Sequence, residues 1–225
     1  MDGILSYLRD LETNNERDWY HENKARYKQA AAEFEDVVDR LIMAIGGFDA
    51  SVLHNSAKDL TFKLVRDTRF SHDKSPYNPA FRAHIAANGK QPIPVGYFLK
   101  IAPNNKSFLG GGLFASMFKD ATTMIRGRLA AHPREFESII TEEQFANKLS
   151  VKGEALKNVP KGYDPQHPLA EYLKHKSWYL EYFLADSELV DVEGFVHHAS
   201  ELFCIMKPFN DFLNAALTDF VMPSR

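Results

Sequence analysis

Between residues 60 and 113 the chain carries four short strand-like runs, the first two alternating apolar and polar residues, with long stretches of helical periodicity on either side. Alternation sends successive side chains to opposite faces of a strand. The runs are 60–67 (Phe62, Leu64 and Arg66 on one face), 81–85 (Phe81, Ala83 and Ile85 against Arg82 and His84), 95–102 and 107–113. Asn88-Gly89 is a turn dipeptide, and Pro103-Asn104-Asn105-Lys106 suits a hairpin. Neighbouring strands with such short connections pair antiparallel. A fifth strand is expected at 177–183. The chain therefore reads as α+β: one largely antiparallel sheet of about five strands, packed by N-terminal, middle and C-terminal helices.

The flanking helices follow from apolar residues at 3.6-residue spacing. Ile4, Leu5, Leu8 and Leu11 predict a helix over 3–12. Trp19, Tyr27, Phe34, Val38, Leu41 and Ile45 predict a long one over 16–45, capped by Asn15 and bent near 21–24. Gly46-Gly47 is expected to end it through a left-handed residue. Downstream, Phe114 to Leu129 share a helical face with Ser116 as N-cap, Pro133 starts a further helix, and 141–144 fit a capping box. A last helical pattern over 192–220 is expected to kink or split at Pro208. Cys204 sits between Phe203 and Ile205 in that pattern and reads as a buried thiol.

At 225 residues and 44% hydrophobic, the chain can bury a full core, and a single domain over 1–225 is expected. One cysteine excludes an intrachain disulfide and points to a reducing cytoplasm. No apolar run is long enough for a bilayer, and the first residues lack the features of a signal peptide. The net charge of −3 argues against general attraction to nucleic acid or membranes. The charge is unevenly spread, however. Residues 58–90 hold seven basic residues against three acids, a surplus of four, which leaves −7 for the rest.

That surplus centres on Arg66, Arg69, Ser71, Asp73, Lys74 and Tyr77, in a loop between two predicted strands. Arginine forks match carboxylate or phosphate oxygens, lysine adds a point charge, and hydroxyls add neutral donors. Arg82 and His84 on the next run would line the same cavity if the two strands pair, and Lys176 would reach it from the sheet edge. A small anionic ligand is the expected partner. No cofactor or metal is called for, because the histidines lack clustered thiol or carboxylate companions. Gly110-Gly111-Gly112 resembles a phosphate cradle, but Leu113-Phe114 stands where a P-loop needs Lys-Ser/Thr. What remains of that idea is an anion approaching free amides at a following helix N-terminus. Asn14, Asn15, Arg17, Asp18 and Trp19 form a second polar-aromatic cluster, whose asparagines read as helix caps.

The run R-D-T-R-F-S-H-D-K-S-P-Y at 66–77, with G-Y-F-L-K-I-A-P and S-F-L-G-G-G-L-F, resembles an uncharacterised bacterial and fungal family, the domain of unknown function 2461. N-N-E-R-D-W-Y-H-E-N-K-A-R-Y upstream is similar too, as are K-G-Y-D-P-Q-H-P, K-H-K-S-W and K-P-F-N-D-F-L-N downstream. The resemblance runs from about Leu5 to Leu213 and implies one α+β domain, with no established activity. Where that family usually carries a basic residue after P-Y, this chain has Asn78.

Three functions fit. The first is binding of a small phosphorylated or carboxylated metabolite at the 66–77 loop. The second is a nucleic-acid-binding or processing module using Phe70, Tyr77, Phe81 and Tyr97 beside basic strands. The third is a non-catalytic protein-interaction domain whose charged loop is structural.

Overall fold

The computed structural model describes residues 1–69 and 71–223. The chain folds into two compact units. The first takes residues 1–90, 98–109 and 183–202; the second takes 91–97, 110–182 and 203 onward. Four strands, β1 (Phe81–Ile85), β2 (Tyr97–Ile101), β3 (Ser107–Leu113) and β4 (Trp178–Leu184), form one antiparallel sheet in the order β1-β2-β3-β4. With helices before, between and after them, the architecture is α+β.

In the first unit, α1 (Asp2–Thr13), α2 (Arg17–Glu22) and α3 (Lys24–Gly46) precede the short α4 (Ala57–Leu60). The expected bend is a break at Asn23 between α2 and α3. The apolar stripe of α1 (Ile4, Leu5, Leu8, Leu11) is buried, as is that of α3 (Phe34, Val38, Leu41, Ile45). Phe34 stacks on Phe81 of β1, with ring centroids 5.3 Å apart. Each such side chain contributes roughly 1.5–3 kcal/mol by leaving water. The β2–β3 hairpin turns on Asn104 and Asn105, at φ 63° and 57°. The Asp186 carboxylate accepts from both of their amides, at 3.1 and 2.9 Å, and pairs with Arg9.

In the second unit, α5 (Lys119–Ala131), α6 (Pro133–Ile140), α7 (Glu143–Lys148) and α8 (Ala170–Leu173) surround an aromatic core. Phe136 lies 5.1 Å from both Tyr172 and Phe212. Trp178 is fully buried and its indole N–H donates to the Tyr172 carbonyl at 3.0 Å. The last helix, α9 (Val192–Ala216), contributes Phe203, Met206, Phe209 and Phe212 to this core.

Several sequence expectations are corrected. The sheet has four strands, not about five, because 60–67 forms only two isolated bridges, Thr61 to Ala83 and Val65 to Tyr77. The chain leaves β1 to pair with its own returning loop, where Pro76 and Pro79 lack the N–H groups a ladder requires. The strand expected at 107–113 holds the glycine triplet, but no helix follows it directly: α5 begins only at Lys119, with Phe118 rather than Ser116 at its N-cap. Gly47 has φ −65°, so α3 does not end through a left-handed residue. At Gly46 a Cβ would meet Leu53 Cδ2 at 2.2 Å, so the exposed Leu53 side chain packs where a larger residue would displace it. Glu142, not Thr141, caps α7, accepting from the Phe145 amide. Finally, α9 runs unbroken through Pro208. The carbonyl deprived of its donor belongs to Cys204, and both residues lie on the exposed face, where water can serve it. The same placement leaves the Cys204 thiol exposed rather than buried.

Candidate functional site

The 66–77 loop is closed at its neck by backbone pairing. Arg66 N–H donates to the Pro76 carbonyl at 2.9 Å, and Asn78 N–H donates to the Leu64 carbonyl at 2.7 Å. Inside the neck, two aspartates organise the turns. Asp67 accepts from the Arg69 amide at 3.2 Å and from the Arg69 guanidinium, with Nη2 at 2.6 Å. Asp73 accepts from the Ser75 hydroxyl at 2.6 Å, from the Ser75 amide at 2.9 Å and from Arg66. Short polar side chains bonding to the backbone two residues on is the usual Asx-turn device. The Arg69 hydrogen bonds hold the Asp67 carboxyl below the usual range. The Ser75 hydroxyl, then Arg66, hold that of Asp73 well below it.

From outside the loop, Asn15 fixes its return. Its Nδ2 donates to the Tyr77 carbonyl at 2.9 Å, and its Oδ1 accepts from the Tyr77 amide at 3.0 Å. Asn15 therefore does not cap α2, whose N-cap is Glu16. A side-chain amide making both bonds to one peptide mimics a neighbouring strand. The Tyr77 ring is buried and stacks on Tyr20 of α2, 4.1 Å between centroids.

These supports shape a cleft of about 430 Å³ lined by Arg17, His21, Val65, Arg66, Thr68, Lys74, Pro76 and Tyr77. Arg17 and His21 come from α2, one turn apart, and the other six from the loop and its neck. No carboxylate is among these lining residues. Lys74 Nζ donates to the Thr68 carbonyl at 3.0 Å, which leaves two of its three donors for a ligand. Arg66 gives Nη1 to Asp73, and its Nη2 has only a 3.4 Å contact to the Ser71 hydroxyl.

Of the residues singled out in the sequence, Arg66, Lys74 and Tyr77 line this cleft, while Arg69, Ser71 and Asp73 brace the loop around it. Arg82 and His84 lie on β1, with the Arg82 guanidinium 5.3 Å from the Phe62 ring centroid and His84 buried 6.4 Å from that of Phe98. Neither is among the cleft-lining residues. Lys176 belongs to the second unit, where its Nζ is 2.9 Å from the Glu154 carboxylate. The Ser116 hydroxyl also bonds to that carboxylate, and the two partners hold its pKa down, Lys176 first. Arg17 and His21 were not foreseen as cleft residues. Their i,i+4 spacing just after Asn15 was the available signal, obscured by reading Asn15 as a cap. Phe70 lies outside the described residues. Among the described residues, no three His, Cys, Asp or Glu side chains gather as a metal site.

The glycine triplet has a packing explanation. Gly112 sits at φ +88°, and a Cβ there would meet the Trp178 carbonyl oxygen at 2.4 Å. A Cβ on Gly111 would lie 3.0 Å from Asn210 Oδ1. Asn210 is itself buried, donating to the Gly96 carbonyl at 3.1 Å. Asn214, one turn on, exchanges two hydrogen bonds with the Val95 backbone.

With this geometry in hand, a family model for conserved hypothetical proteins, DUF2461, matches residues 3–212. The chain belongs to that family. Comparisons with curated proteins and with solved structures return no match. The DUF2461 match covers both the cleft in the first unit and the glycine-asparagine packing in the second. Among the described residues of this DUF2461 chain, no helix is long and apolar enough to cross a membrane.

Proposed function

We propose that the cleft between α2 and the 66–77 loop binds a small ligand through a phosphate or carboxylate group. The observation that carries this reading is the convergence of Arg17, Arg66 and Lys74, with His21, on one open cleft lined by no carboxylate. Cations held apart by a braced loop repel one another, and an oxyanion between them relieves that repulsion. The cleft exceeds what a bare phosphate fills, so an organic portion fits alongside it. One feature favours a structural role for part of the loop: the Arg69 fork is taken up by Asp67.

Thermal unfolding of the full chain with inorganic phosphate, sugar phosphates and nucleotides tests the proposal. A ligand at a hundred times its Kd adds about 2.7 kcal/mol, or roughly 5–10 °C. Arg17→Ala and Lys74→Ala should each weaken the response about tenfold or more, as loss of a charged hydrogen bond does. Absence of stabilisation by every anion tried removes the proposal.

A further inference from the structure

The fixed charges of the cleft narrow the choice of anion. Three permanent cations line it: Arg17, Arg66 and Lys74. Arg66 is paired with Asp73. The Ser75 hydroxyl, then Arg66, hold the Asp73 carboxyl well below its usual range, so it stays ionised and this pair adds no net charge. Among the described residues, Arg17 and Lys74 have no ion pair. Asp18 and Glu22 sit next to Arg17 and His21 in α2 but do not line the cleft. Two uncompensated positive charges remain. Lys74 has two donors to spare, Arg66 Nη2 is held only by its 3.4 Å contact, and Arg17 adds its guanidinium fork. The same lining includes Pro76 and Val65, and Val65 is 60% exposed although aliphatic.

Resting on the reading of the cleft as an anion site, we propose that its ligand is a terminal phosphate monoester whose organic part lies against Val65 and Pro76. A monoester carries close to two negative charges near neutral pH, and its three terminal oxygens accept from several donors at once. It matches the two free cations of the cleft. A monocarboxylate or a phosphodiester carries one charge and leaves one cation without compensation beside its neighbour. The internal linkages of a nucleic-acid strand are diesters, so the same charge balance disfavours an internal stretch of strand. An apolar group that covers Val65 leaves water and adds affinity that bare phosphate lacks.

Isothermal titration calorimetry of the full chain at about pH 8, where a monoester is fully a dianion, provides the test. The probes are inorganic phosphate, phenyl phosphate, methyl phenyl phosphate and benzoate. Phenyl phosphate should bind roughly tenfold or more tighter than methyl phenyl phosphate or benzoate, as one more charge-assisted contact implies. Arg17→Gln and Lys74→Gln each remove one free charge at an exposed position, and each should cut that preference to about threefold or less. Val65→Ser should weaken phenyl phosphate about threefold and leave inorganic phosphate unchanged. Circular dichroism melts check that all three variants fold. Equal affinity for monoester and diester overturns the inference while the cleft remains an anion site. A preference that survives both charge variants places the discrimination elsewhere and also overturns it. Undiminished phenyl phosphate binding by Val65→Ser overturns the placement of the organic part. Absence of binding by all four probes removes the anion reading itself, and this inference with it.

Discussion

The 66–77 loop and the glycine triplet of β3 both look like anion sites in the sequence, yet they meet opposite surroundings. The loop is exposed, its turns are made by its own aspartates, and its remaining donors face an open cleft. The triplet is wholly buried, and the space a side chain would need is filled by Trp178, Phe209 and Asn210. Of the two, only the loop leaves donors unspent. Unspent, solvent-accessible donors distinguish a candidate binding site from close packing, because a buried polar group is satisfied internally or costs stability.

The comparison breaks most sharply at Gly112. Gly112→Ala combines a left-handed residue with a backbone clash at 2.4 Å, and should cost about 3 kcal/mol or more in urea unfolding. A cost near zero would mean the triplet is not tightly packed. Next comes Asn15→Ala, which removes both bonds to the Tyr77 peptide and should cost about 1–3 kcal/mol. Unlike Gly112→Ala, it should also reduce the phosphate-induced stabilisation. An unchanged phosphate response would show that the loop holds its shape without the amide.

A smaller effect is expected in alkali. Burial, then the neighbouring Tyr27, pushes the Tyr20 hydroxyl up to about 12. An unfolded tyrosine loses its proton near ~10. Between these values the folded state holds the extra proton, so stability falls as pH rises through this window. Tyr20→Phe should flatten that fall, measured as urea midpoints against pH. Burial also raises Tyr7, so part of the slope should survive. The smallest effect belongs to Arg69→Ala. Its side chain is 79% exposed, and loss of its pair with Asp67 should leave the urea midpoint nearly unchanged. The phosphate response should persist. A large loss of stability would instead identify the charged loop as a structural braid.

Much of the fold was legible because it is written in local periodicity. α1, α3, the break near Asn23, β1 to β4 and the Asn104-Asn105 turn each follow from residues a few positions apart. Where the reading failed, a distant partner overrode the local rule. The alternation at 60–67 is sound, but the ladder stops where the returning loop supplies prolines. Pro208 does not break α9, since the buried aromatic side chains around it hold the helix and its lost bond faces water.

The sequence by itself determined an α+β chain of the DUF2461 family with a cation surplus at one loop. It did not bring Arg17 and His21 to that loop. Only the tertiary structure did so, through an asparagine and a tyrosine 62 residues apart whose backbone and side-chain groups pair. Helices and strands are local consequences of side-chain spacing. A cleft depends on which distant segments end up adjacent, and that is settled by burial of the cores beneath it.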